Sequence, residues 1–165
     1  CNAYGFGAMT YRNNGGFFAI FNTVHDVDFF GGYAPSGGSV VLRNNIFSLK
    51  RTNSCSGFMK ERTITHDFNL YTLASYDPDG EANRVVAASV FADAPRNFAL
   101  AAGSPAIGKA NQIEESVFAT FQARYGLDIR RDMRGNRRPN GTWDMGALEA
   151  VTGPTPLSPA AFLVQ

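Results

Sequence analysis

FAIFNTVHD (Phe18–Asp26), VVLRNNIFS (Val40–Ser48) and TITHDFNLYT (Thr63–Thr72) can be laid over one another so that Asn22, Asn45 and Asn69 coincide. The asparagines lie 23 and then 24 residues apart. Strand-length apolar segments recurring at roughly 20–45 residues mark an architecture in which each repeat stacks on its neighbour. In that register Thr23, Ile46 and Leu70 form one row, and Val24, Phe47 and Tyr71 form another. Parallel strands ~4.8 Å apart place like residues over like. Apolar rows would then fill a core, and an asparagine row would bond side chain to side chain and to the turn backbone. Asn tolerates the left-handed conformation, so the asparagines themselves are expected at the corners of the stack. Two positions earlier lie Ile20, Arg43 and Asp67. This row predicts a cross-strand Arg43–Asp67 ion pair, or an arginine and a carboxylate lining a glycan groove.

Between the repeats the chain is punctuated by turns. Asn13-Asn14-Gly15-Gly16 precedes the first, and Gly31, Gly32, Pro35, Gly37 and Gly38 lie between the first and second. Asp77-Pro78-Asp79-Gly80 follows the third, and residues 85–91 (VVAASVF) make a fourth strand candidate. Residues 112–125 follow a different period. Ile113, Val117, Phe118, Phe121 and Tyr125 share one helical face, Asn111 is placed to cap it, and Gly126 to end it. Such a helix would cover an open strand edge or an exposed end of the core. Residues 1–150 form the expected domain, and 151–165 read as a Pro-rich linker or tail.

The chain has 165 residues, 44% hydrophobic and 18% charged, with fourteen Phe and seventeen Gly. That is a core-forming composition with many turns. A net charge of +1 gives no global field for nucleic acid or anionic membrane, and no run reaches the ~20 apolar residues of a membrane span. Arg130, Arg131, Arg134, Arg137 and Arg138 crowd one stretch, either as a loop paired with carboxylates and carbonyls or as an anion patch. Cys1 and Cys55 have no zinc-site spacing, and a disulfide between them stays open. The opening on Cys1, inside a strand-and-turn pattern, suggests a piece of a longer secreted protein.

Asp67-Phe68-Asn69-Leu70-Tyr71 is followed in order by Ser89-Val90-Phe91-Ala92-Asp93, Asn97-Phe98-Ala99-Leu100 and Gly103-Ser104-Pro105-Ala106-Ile107-Gly108. Asp132-Met133-Arg134-Gly135-Asn136-Arg137-Arg138-Pro139 and Trp143-Asp144-Met145-Gly146-Ala147-Leu148-Glu149 complete the succession. Across about residues 40–150 it resembles the C-terminal end of secreted right-handed parallel β-helix proteins of the pectate-lyase-like superfamily. The resemblance implies an all-β fold: about four coils of a right-handed parallel β-helix, with one short capping α-helix near 112–125. The segment between Ile107 and Asp132 is longer than that pattern usually has. Asp132, Asp144 and Glu149 are expected to anchor the Arg137/Arg138 loop.

The resemblance implies a secreted protein that acts on extracellular polysaccharide, as a lyase or glycoside hydrolase, or the C-terminal part of one. A non-catalytic carbohydrate-binding, adhesin or assembly module is the alternative, since fold does not choose between them. A lyase needs a base and a cation near a uronate carboxylate, for which Lys60 and Arg62 are candidates and calcium the candidate cofactor. A hydrolase needs two carboxylates at ~5–5.5 or ~6.5–9.5 Å. Asp26 and Asp28, ~6.6 Å apart if extended, are the candidate pair. His25 and Asp67 join the catalytic candidates, and Arg43, His66 and Tyr71 are candidate substrate-binding residues. Apolar core at the N-terminal end predicts self-association through residues 1–22, or a partner chain there.

Overall fold

Among the described residues, three parallel sheets, built from strands that recur in the same order along the chain, carry the N-terminal half. The computed structural model describes residues 5–9, 16–27, 29–33, 39–49, 64–73, 83–113, 115–139 and 141–150. β1 (Gly5–Met9) pairs with β4 (Phe29–Tyr33). β2 (Gly16–Ile20), β5 (Ser39–Arg43) and β7 (Ile64–Asp67) make the second sheet. β3 (Thr23–Val27), β6 (Ile46–Leu49), β8 (Leu70–Tyr71) and β9 (Val85–Val86) make the third. The predicted rows are real: Ile20, Arg43 and Asp67 are in register, as are Thr23, Ile46, Leu70 and Val85.

Among the described residues the chain passes from the second sheet to the third in two residues, the first of them left-handed: Phe21, Asn44 and Phe68 have φ of 56°, 59° and 54°. Asn83, just before β9, has φ 58° as well. The left-handed residue is therefore the one before the aligned position, not the ladder asparagine. With the bend made upstream, the asparagine side chain is released to bridge layers. Asn45 Oδ1 accepts from Asn22 N (2.9 Å) and Asn22 Nδ2 (3.1 Å). In the fourth layer Arg84 takes the asparagine's place.

Both faces of the third sheet are covered. On one, Ile46 and Leu70 pack with Val90, Ala106 and Met145. On the other, Phe47 and Tyr71 are buried and stacked, with ring centroids 5.3 Å apart. The segment 85–91 divides, since Val85 and Val86 finish the sheet while Val90 enters the core. Phe91 begins β10 (Phe91–Asp93), which pairs antiparallel with β11 (Asn97–Leu100), a hairpin outside the parallel stack. Closure over β3 and β6 falls to residues 143–150. Gly146 N donates to Asn44 O (2.7 Å), and Ala147 N to Thr23 Oγ1 (3.0 Å).

The helix α1 spans Glu115–Tyr125 and ends at Gly126, φ 73°. Its predicted apolar face is largely uncovered. Phe118 is buried against Phe21 and Trp143, whereas Ile113, Val117 and Tyr125 are at least half exposed. Asn111 lies four residues before the start of the helix. Its Oδ1 accepts from Ile113 N, and its backbone exchanges two hydrogen bonds with the Asn44 side chain, tying the segment to a corner. No helix among the described residues is long and apolar enough to cross a membrane.

Candidate functional site

β3 carries Thr23 and His25 on one face because strand residues two apart point the same way. After His25 the register shifts, and Asp26 sits at φ 62° in the irregularity. A bulge of this kind bends the strand and re-aims its side chains. The imidazole of His25 meets the rings of Phe91 and Phe98 edge-on, at 6.0 and 5.0 Å. Its Nδ1 is enclosed and has no hydrogen-bond partner among the described residues.

Beside His25 lies a half-open cleft of about 440 Å³. Phe98 of β11 forms one wall, Ala147 and Leu148 another, and Met133 and Arg134 the rim. The rim is a turn organised by Asp132, whose Oδ1 accepts from the backbone N–H of Arg134 (2.9 Å) and of Asn136 (2.8 Å). Met133 N donates to Ala147 O (2.9 Å), which joins rim to wall.

The arginine cluster divides by partner. Arg130 pairs with Asp128 and Glu115, Arg137 with Asp128, and Arg138 with Glu149. Hydrogen bonds from Arg130 hold the Asp128 carboxyl below the usual carboxylate range. Arg131 donates to Gly135 O. Most of the cluster is therefore internally compensated, and the patch reading fails for these residues. Arg134 differs. Its guanidinium donates to the neutral Asn97 Oδ1 (3.2 Å), and it has no ion pair among the described residues.

Beneath the rim lies a buried charged group. Arg138 stacks over the Phe21 ring (4.0 Å) and donates to Gly146 O (2.9 Å) as well as to Glu149. Of the expected anchors, Glu149 pairs with Arg138, while Asp132 and Asp144 also accept backbone N–H groups, Asp144 from Gly108 and Ala150. Burial pushes the Glu149 carboxyl up to about 7, aided by Asp144 and Asp132 and opposed by Arg138. Burial likewise lowers Arg138 from its ordinary value.

Of the candidate catalytic and substrate-binding residues His25 alone borders this cleft, joined by Arg134 of the arginine stretch. Asp26 is exposed, with φ 62°, and is not part of the cleft lining. Asp28, Lys60, Arg62, Cys1 and Cys55 lie outside the described residues. Arg43 is buried and paired with Asp67, the Nη2–Oδ2 distance being 3.2 Å. His66 stands beside Leu42, half-buried, on the face opposite Asp67. Tyr71 is fully buried. Among the described residues no three His, Cys, Asp or Glu side chains are arranged to hold a metal ion. Phe98, Met133 and Leu148 were not legible as site residues, whereas Arg134 belongs to the arginine stretch for which an anion patch was one reading.

No protein-family model matches the chain, and no curated protein matches it.

Proposed function

We propose that the chain is a C-terminal portion of a secreted right-handed parallel β-helix protein that recognises, and in its complete form acts on, an extracellular polysaccharide. The supporting observation is the stacked second sheet, which offers a flat face with Phe18, Val41 and Thr65 in one row. Phe18 is 57% exposed there, and Arg43 and Asp67 lie two positions along on the same face. An exposed aromatic on a flat strand face suits the apolar side of a sugar ring. Parallel strands joined through crossovers are right-handed in ~98% of cases, which supports the handedness.

The test is a panel of acidic and neutral polysaccharides, with calcium and with a chelator. Unsaturated-product absorbance and reducing ends are followed separately, and binding by sedimentation with insoluble glycan. Retention on at least one glycan, weakened several-fold by Phe18→Ser, is expected. No retention on any member, or retention indifferent to Phe18, rejects the reading.

A second reading is an assembly module. Among the described residues, β2 and β3 have a strand neighbour on one side, and Asn22 ends the side-chain ladder. Self-association through this edge, or a partner chain seated on it, follows from that reading. Light scattering across a concentration series separates a monomer from a dimer.

A further inference from the structure

We propose that the cleft between β3 and the 132–148 segment is a binding site for a small monocarboxylate with an apolar body. This goes beyond the polysaccharide reading and uses a different face of the molecule.

Among the described lining residues Arg134 is the one charged side chain. Thr23 Oγ1 is already engaged as acceptor of the Ala147 N–H. Arg134 has an amide oxygen as its side-chain partner and no carboxylate among the described residues. The His25 imidazole lines the cleft, and its Nδ1 is enclosed without a hydrogen-bond partner among the described residues. The site thus presents a guanidinium beside an imidazole, and no carboxylate lines it among the described residues.

Among the described residues the remaining lining is Phe98, Met133, Ala147 and Leu148. A volume of about 440 Å³ falls within the ~300–1,000 Å³ of small-molecule pockets. A carboxylate matches the guanidinium fork, and an apolar body matches the walls. A sugar would set hydroxyls against walls that offer them no partner, and a dianion would meet a single guanidinium.

The experiment is calorimetric titration of the whole chain with phenylacetate, with its neutral analogue 2-phenylethanol, and with galacturonate. Saturable phenylacetate binding at least tenfold tighter than phenylethanol is expected. Arg134→Gln should lower phenylacetate affinity to the phenylethanol level without moving the thermal midpoint, because the residue is exposed. His25→Phe, which keeps the aromatic contacts but removes the ring nitrogens, should weaken phenylacetate several-fold. The proposal is overturned if phenylacetate binds no tighter than phenylethanol, if Arg134→Gln binds as the parent does, or if galacturonate matches phenylacetate. Glycan retention sensitive to Phe18→Ser but not to Arg134→Gln keeps the two readings separable.

Discussion

Asn45 and Asn69 share a single oxygen: the backbone N–H and the side-chain Nδ2 of Asn45 both donate to Asn69 Oδ1, at 3.0 and 2.9 Å. All the atoms concerned are buried, and Asn69 Nδ2 passes its own hydrogen on to Leu42 O (2.9 Å). One side chain thus satisfies two donors and a carbonyl in the adjacent layer.

Asn69→Ala strands those groups together. An unsatisfied buried donor or acceptor costs about 1–3 kcal/mol, so a loss of roughly 2–5 kcal/mol is expected. Asn22→Ala should cost roughly 1 kcal/mol, because Asn22 is half-buried and its side chain serves chiefly as a donor. Urea denaturation of both variants checks the ranking. Equal losses would mean that the ladder does not carry the corner.

Gly146 lies where the closing segment crosses the core. Its φ is 87°, and an added Cβ would stand 2.5 Å from Ile46 Cδ1 and 2.8 Å from Thr23 Oγ1. Backbone strain and overpacking each cost about 1–3 kcal/mol, so Gly146→Ala should lose roughly 2–5 kcal/mol. Gly103 has φ 74° but open space around its Cβ direction. Gly103→Ala should therefore lose about 1–2 kcal/mol, the conformational part alone. Comparison of the two thermal midpoints isolates the packing contribution.

The stacking of layers was legible because register repeats residue type: Ile46 over Leu70 and Phe47 over Tyr71 are apolar pairs at a fixed spacing. The bend was not, because the residues that adopt positive φ are Phe, Asn, Phe and Asn, and share no local signature. Helical period correctly found α1 but could not say which of its apolar residues meet a neighbour. Phe118 does, through Phe21 and Trp143, two residues far away in sequence. The cleft was hidden for the same reason. Phe98, Arg134 and Leu148 come from three segments, joined by bonds such as Met133 N to Ala147 O. Nor does composition reveal that Arg134 has no carboxylate partner among the described residues when its neighbours' partners come from positions 115, 128 and 149.

Glu149 makes stability depend on pH. Its carboxyl rises from 4.5 to about 7 on folding, with burial the leading cause. Between those values the native state holds a proton that the unfolded chain releases, so this contribution is fully present below pH 4.5. It is lost as pH rises through about 7 and is constant above that. The urea midpoint should therefore fall from pH 5 to pH 7.5, and Glu149→Gln should flatten that slope. A midpoint that rises over the same interval, or a slope unchanged in the variant, contradicts the assignment.

Arg43 and Asp67 test how much a paired charge in the stack contributes. The Arg43 side chain is 9% exposed and that of Asp67 is 22%. This is well short of the exposed pairs that contribute ~0–1 kcal/mol. Asp67→Ala leaves the Arg43 charge buried without this carboxylate, and breaking a buried pair costs about 3–5 kcal/mol. The side chain of Asp67 retains some access to water, so a loss of roughly 2–4 kcal/mol is expected. Replacing both partners, Arg43→Met with Asp67→Leu, should recover at least half of that loss, because no charge then remains to be desolvated. The double variant also separates stability from recognition. If the Phe18 face binds glycan through this pair, retention should fall even though the stack is intact. If the pair is structural, retention should follow stability, and chemical denaturation alongside glycan sedimentation decides between the two.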